Sequence, residues 1–67
     1  MEFELRDEYI TLAQLLKACD VVYSGGQAKE YLASMEVFVN GVNENRRGKK
    51  IYDGDIVETN GIRIEVK

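Results

Sequence analysis

Val37-Phe38-Val39-Asn40-Gly41-Val42 is the stretch of sequence that decides the fold, because apolar residues flank an Asn-Gly pair. Asn-Gly favours the type I′ turn that joins two antiparallel strands. Two more turn pairs follow, Asp53-Gly54 and Asn60-Gly61, and they separate short apolar runs. Apolar and polar residues then alternate over residues 62–67, as in a strand with one buried face. The second half of the chain is therefore predicted to form a small antiparallel sheet.

Upstream of this hairpin the apolar residues have helical spacing instead. Two sets recur at i, i+3, i+4 and i+7, each on one helical face: Leu12, Leu15, Leu16 and Cys19, then Ala28, Tyr31, Leu32 and Met35. Thr11 with Gln14, and Ser24 with Gln27, have the capping-box spacing at the two helix starts. Residues 2–5 alternate as a short strand. We predict an α+β domain over residues 1–67, with an αα-hairpin packed on a small antiparallel sheet of about four to five strands.

Composition excludes several classes of function. The chain has 67 residues, one cysteine and no histidine, so it has no internal disulfide, no structural zinc site and no histidine base. Cys19 is interpreted as a core residue, and Asp53 and Asp55 as turn residues rather than a metal or acid/base pair. No apolar run approaches the roughly 20 residues that span a bilayer. We expect a cytoplasmic protein with no cofactor, no metal, no membrane partner and no enzymatic activity.

The charge is unevenly distributed along the chain. Because the whole chain has net charge −3 and the stretch Arg46-Arg47-Gly48-Lys49-Lys50 carries +4, the rest of the chain carries −7. Such a dipolar protein attracts a polyanion to one face and repels it elsewhere. The basic stretch is predicted to be a loop, and two interpretations stay open at this point. It either binds phosphates or is simply a solvated charged loop.

A second candidate is the start of the second helix, Ser24-Gly25-Gly26-Gln27-Ala28-Lys29. Glycines allow close approach of a partner, and the free N–H groups at a helix start favour a phosphate. The alternative is ordinary capping followed by a flexible turn. Four tyrosines are possible stacking surfaces for unpaired bases, Tyr9, Tyr23, Tyr31 and Tyr52. Tyr31 is predicted to lie in the core, and Tyr23 and Tyr52 are favoured because they flank the two candidates.

In this order, these segments resemble the S4-like RNA-binding domain, over roughly residues 10–60. The resemblance rests on Ile10-Thr11-Leu12-x-x-Leu15-Leu16-Lys17, Ser24-Gly25-Gly26-Gln27-Ala28-Lys29, Val37-x-Val39-Asn40-Gly41 and Gly54-Asp55-x-Val57. The second of these segments and the Arg-Arg-Gly-Lys-Lys loop are similar to those of stand-alone bacterial proteins of the YaaA type. The resemblance implies two helices, the αL motif, against a short, bent antiparallel sheet.

The resemblance also implies a function and a site. It implies a monomeric protein that binds structured RNA, ribosomal or transfer RNA, with the ribosome as a candidate partner. The implied RNA-binding residues are Ser24, Gly25, Gly26, Gln27, Lys29, Arg46, Arg47, Lys49 and Lys50. Many S4-like domains have arginine directly after the serine, where this chain has Gly25, and glycine before the first strand, where it has Met35. The first departure removes a phosphate contact and leaves more of the binding to the basic loop.

An alternative function fits the same charge distribution. A protein–protein adaptor would dock its basic loop on an acidic patch of its partner, and its own acidic surface would stay in solvent. A flat salt dependence would count against RNA binding, because counterion release from RNA gives a steep dependence. A pull-down that recovers protein but no RNA after nuclease treatment would favour the adaptor.

Overall fold

A computed structural model describes all residues, 1–67, and contains seven strands and two helices. The elements are β1 (Glu2–Phe3), β2 (Ile10–Thr11), α1 (Leu12–Ala18), α2 (Gly25–Ser34), β3 (Val37–Val39), β4 (Val42–Asn43), β5 (Lys50–Ile51), β6 (Ile56–Thr59) and β7 (Ile62–Val66). Five strands form one sheet in the order β1-β7-β6-β3-β4, and β2 pairs with β5 in a separate ribbon. The helices pack on the larger sheet, which confirms the predicted α+β architecture.

Two of the predicted hairpins have the turn geometry that their sequences favour. Asn40 and Gly41 have φ values of 51° and 82°, and Asn60 and Gly61 have 48° and 75°. Positive φ at both central residues defines a type I′ turn, and its twist matches that of the flanking strands. These turns join β3 to β4 and β6 to β7, and β3 also pairs antiparallel with β6.

The sheet differs from the predicted all-antiparallel arrangement at one edge. Strand β1 lies parallel to β7, with Glu2 opposite Glu65 and Phe3 opposite Val66. The sheet is therefore mixed. The alternation of residues 2–5 predicts a strand there but holds no information on its direction, since the partner strand is at the other end of the chain.

A second difference lies in the β2–β5 ribbon. Ile10 pairs with Ile51 and Thr11 with Lys50, in antiparallel register. The prediction placed Lys50 in the basic loop, whereas the structure makes it the first residue of β5. A two-residue strand leaves no periodic signal in the sequence, and its pairing partner lies some forty residues upstream.

The two helices begin at the predicted caps. At α1, the Gln14 backbone N–H donates to Thr11 Oγ1 and the Thr11 N–H donates to Gln14 Oε1, which completes the capping box. At α2, the Gln27 N–H donates to Ser24 Oγ, but Gln27 Oε1 accepts from the N–H of Tyr23 rather than from that of Ser24. The capping box predicted at the second helix is therefore wrong in one of its two hydrogen bonds, the one from the Ser24 N–H to the Gln27 side chain.

Twelve buried apolar residues from both helices, both sheets and the connection between the helices form the core: Leu12, Leu15, Leu16, Val22, Ala28, Leu32, Val37, Val39, Ile51, Val57, Ile64 and Val66. Met35 was predicted on the buried stripe of α2, but it follows the helix end and is 39% exposed. Tyr31 packs against the core as predicted, and its hydroxyl lies 2.7 Å from Thr59 Oγ1. Neither helix is long and apolar enough to cross a membrane.

Candidate functional site

The basic loop, residues 46–50, is fixed to the N-terminal end of α1 through its backbone. The N–H of Leu12 donates to the carbonyl of Lys49 at 2.8 Å, and the N–H of Ala13 donates to that of Arg47 at 3.0 Å. The first N–H groups of any helix lack partners within the helix, and here the loop supplies them. The loop backbone is therefore ordered by the same bonds that satisfy the helix start.

Arg46 has a partner within the chain. Its Nε and Nη2 donate to the two carboxylate oxygens of Glu44 at 2.9 and 3.0 Å, and its backbone N–H donates to Glu44 Oε2 at 3.0 Å. The hydrogen bonds from Arg46 hold the pKa of Glu44 at about 2, below its ordinary value of 4.5. Glu44 is therefore ionised throughout the physiological range, and the charge of Arg46 is neutralised by an acid just outside the loop.

The three remaining cations of the loop have no carboxylate partner. The salt bridges of the chain join Arg46 to Glu44, Arg63 to Glu65 and Lys67 to Glu2, and none involves Arg47, Lys49 or Lys50. Arg47 and Lys50 are exposed, and Lys49 is half-buried. The loop therefore presents three positive charges that the surrounding acidic protein does not neutralise.

Two tyrosines lie beside the loop. The ring centroids of Tyr9 and Tyr52 are 6.1 Å apart with the rings tilted by 53°, and Lys50 Nζ lies 4.9 Å from the centroid of Tyr9. The sequence predicts Tyr9 as one of four possible stacking residues but favours Tyr23 and Tyr52, and it gives no sign that Tyr9 and Tyr52 are neighbours. The available signal was the alternation of Tyr9 with Thr11 and of Lys50 with Tyr52, which becomes informative only once the pairing of β2 with β5 is known.

The start of α2 presents two free backbone donors. Gly25 and Gly26 are exposed, and their N–H groups donate to no atom of the chain. A Cβ at Gly25 would meet nothing within 4 Å, and one at Gly26 would meet only Ser24 Oγ at 4.0 Å. The packing of the domain therefore gives no steric reason for glycine at either position. Lys29, exposed and without a salt bridge, follows one turn after Gly25.

The structure brings the predicted residues together as two separate patches. The loop patch (residues 46–50) lies at the N-terminal end of α1. The glycine patch (residues 24–29) follows the C-terminal end of α1 through the connection 19–23. No hydrogen bond or salt bridge joins them. Helix α1 is seven residues, or about 10 Å, long. The loop patch contacts its first residues, and the glycine patch adjoins its other end in the chain.

The other polar candidates have structural roles. Asp55 accepts from Asn40 Nδ2 at 2.9 Å and from the Tyr52 N–H at 2.8 Å, as expected of a turn residue. No group of acidic or cysteine side chains is arranged to hold a metal ion. Burial raises the pKa of the half-buried Cys19 thiol, with a further rise from neighbouring Asp20, so the reactive thiolate is disfavoured.

Comparison with known proteins adds two findings. Residues 3–67 match the family model described as the S4 domain, and this range includes both patches. The chain is also similar to the probable ribosome maturation protein RlbA of Bacillus subtilis (strain 168). The two are 56% identical over 54 residues, which cover 81% of this chain and 76% of the relative.

Proposed function

Because this chain belongs to the S4 domain family, we propose that it binds structured RNA and catalyses no reaction. The proposed contact surface consists of the loop patch and the glycine patch. The observation that carries the proposal is the grouping of unpaired cations. Six of the nine basic residues lack a salt bridge, and four of these six lie in the two patches: Lys29, Arg47, Lys49 and Lys50. An acidic protein with a free basic surface favours a polyanionic partner.

Each patch suits the RNA backbone in a different way. The cations of the loop patch attract phosphates, and binding releases the counterions condensed on the RNA. In the glycine patch, the free N–H groups of Gly25 and Gly26 lie at the positive end of the dipole of α2, which favours a phosphate oxygen. The loop patch is bonded to the start of α1, whereas the glycine patch follows the end of α1 in the chain. The two separate patches would contact phosphates of different nucleotides, so recognition would depend on the shape of the RNA.

The Bacillus relative supports a more specific partner. Its name connects it with ribosome maturation, and at 56% identity we extend that role to this chain. The proposed partner is ribosomal RNA, free or within the ribosome, and transfer RNA is the other candidate of the same chemistry. We further propose that residues 1–67 act as a single RNA-binding domain, as a monomer, in the cytoplasm.

The salt dependence of binding tests the proposal. If the four unpaired cations of the two patches each contact one phosphate, the logarithm of the binding constant falls with the logarithm of salt concentration with a slope of about −3 to −4. Fluorescence anisotropy with labelled ribosomal RNA fragments, between about 50 and 200 mM salt, measures this slope. A flat dependence would contradict RNA binding through these cations. A pull-down that recovers a protein partner but no RNA after nuclease treatment would favour the adaptor function.

A matched pair of triple variants locates the surface. Replacing Arg47, Lys49 and Lys50 with glutamine should lower the affinity and reduce the magnitude of the slope by about 2 to 3. The control replaces three cations outside both patches, Arg6, Lys17 and Arg63, with glutamine and so changes the net charge equally. We expect the control to keep most of the slope. Equal losses in the two triple variants would show a diffuse charge effect rather than a defined surface.

A further inference from the structure

The β2–β5 ribbon carries a row of side chains, of which the function proposed above uses Lys50 but neither of the neighbouring tyrosines. Continuing the register by one residue beyond the pair Ile10–Ile51 places Tyr9 opposite Tyr52. Because successive side chains of a strand point to opposite faces, buried Ile51 and half-buried Ile10 leave Tyr9, Lys50 and Tyr52 on the outer face. The ribbon therefore holds two aromatic rings and a cation side by side at the surface.

The two rings are not equally available to a ligand. Lys50 Nζ lies over the ring of Tyr9, 4.9 Å from its centroid, at a distance typical of a cation–π contact. The ring of Tyr9 also packs against that of Tyr52, with the centroids 6.1 Å apart and the ring planes tilted by 53°. Tyr52 is 44% exposed and has no cation over its ring. Tyr9 therefore supports the neighbouring ring, and Tyr52 offers the freer aromatic surface.

The charges around Tyr52 favour one orientation of a bound nucleotide. The ring lines an open groove of about 410 Å³ together with Arg46, Gly48, Lys49 and Lys50. The Asp55 carboxylate accepts the backbone N–H of Tyr52 and also lines a second groove, in which it lies with Glu44, Lys49, Lys50 and Tyr52, so a negative charge is fixed near the ring. A phosphate is favoured beside the lysines and disfavoured beside Asp55. A nucleotide would thus place its phosphate in the basic groove and its base against the ring.

We propose that Tyr52, supported by Tyr9 and flanked by Lys49 and Lys50, stacks one unpaired base of the bound RNA. The partner chemistry is a nucleotide that is bulged or in a loop, because a base within a duplex is already stacked on both faces. The inference rests on the proposed RNA binding and adds a preference within it. Bound RNA should contain an unpaired nucleotide next to the phosphates that the loop patch contacts.

Two synthetic RNA hairpins test this preference, identical except that one has a single bulged 2-aminopurine. Stacking on an aromatic side chain is worth a factor of roughly 5 to 150 in affinity. The protein should therefore bind the bulged hairpin more tightly by such a factor and quench the 2-aminopurine fluorescence. Tyr52→Ala should abolish both the preference and the quenching, and Tyr52→Phe, which keeps the ring, should retain both.

The salt slope separates this inference from the proposed function. Tyr52→Ala removes no cation, so its slope on the unbulged hairpin should match that of the unaltered protein. Tyr9→Leu is a second variant of the same surface and should weaken the preference, because it removes the supporting ring. Equal, salt-dependent binding of both hairpins would overturn the stacking inference alone. Absence of salt-dependent binding to either hairpin would overturn RNA binding as well.

Discussion

Arg46 and Arg47 are neighbours with identical side chains, yet the structure gives them different environments. Arg46 is held by three hydrogen bonds to Glu44, and Arg47 has no carboxylate partner. A bidentate pair between residues two apart requires a particular loop conformation, which the sequence does not reveal. Sequence reasoning could therefore find the cluster of cations but could not tell which cation is already neutralised.

Glu44→Gln tests this assignment of Arg46. Removing the carboxylate frees the guanidinium for one more phosphate, so RNA affinity should rise and the salt slope should steepen by about 1. Glu58→Gln is the control, because Glu58 is exposed on the sheet and has no salt bridge. Both variants remove one negative charge. Fluorescence anisotropy in a salt series compares them, and an equal gain or a loss of affinity in Glu44→Gln would contradict the prediction.

At the scale of elements, the start of α2 combines poor helix formers with an open surface. Glycine in a helix is less stable than alanine by up to about 1 kcal/mol, and no atom lies within 4 Å of a Cβ at Gly25. The domain would fold at least as well with alanine at this position. A partner that approaches the backbone closely is a physical reason for the glycine.

Gly25→Ala should therefore separate stability from binding. We expect the free energy of unfolding to rise by up to about 1 kcal/mol, and the melting temperature by a few degrees. RNA affinity should fall, because the new methyl group would meet the phosphate that we propose binds to the free N–H groups. Thermal denaturation and anisotropy on the same sample measure both.

Ser34→Ala, in the last turn of α2, is the control for this variant, since it also introduces alanine but lies away from both patches. Its RNA affinity should stay unchanged. A gain in stability in Gly25→Ala without any loss of affinity would show that no partner approaches the glycine patch closely.

The elements that sequence reasoning found are those with local signals. Both helices and the Asn-Gly hairpins are encoded by caps, spacing and turn pairs within a few residues of one another. The β1–β7 pair and the β2–β5 ribbon join segments far apart in the chain, and each involves a strand of two residues. The Tyr9–Tyr52 contact depends on the β2–β5 ribbon, and for this reason it could not be predicted from the sequence alone.

On the scale of the whole molecule, one small core supports both patches. A domain of 67 residues is typically stable by only about 3 to 10 kcal/mol. Fully buried Ile51 connects the ribbon to this core, with Lys50 and Tyr52 on either side of it in the chain. Loss of core packing at this residue would therefore disturb both the fold and the candidate binding surface.

Substitutions at Ile51 should show how small the free energy of unfolding of this domain is. Ile51→Val should lower the free energy of unfolding by about 0.5 to 1.5 kcal/mol, and Ile51→Ala by about 2 to 5 kcal/mol. The larger loss would leave a substantial unfolded population. Val42→Ala is the control, since Val42 is 69% exposed, and should change stability by less than about 0.5 kcal/mol. Urea denaturation followed by circular dichroism gives these values, and similar losses at both positions would contradict the assigned core.

The attachment of the loop patch to α1 has a consequence for the kinetics of association. The carbonyls of Arg47 and Lys49 are bonded to the helix start in the free protein, so the loop acquires its backbone order when the chain folds. Only side chains are left to order when the partner arrives, which lowers the entropic cost of association. If the loop patch binds RNA as proposed, the rate of association should be governed by diffusion and electrostatic attraction, with no slow rearrangement of the loop between collision and binding.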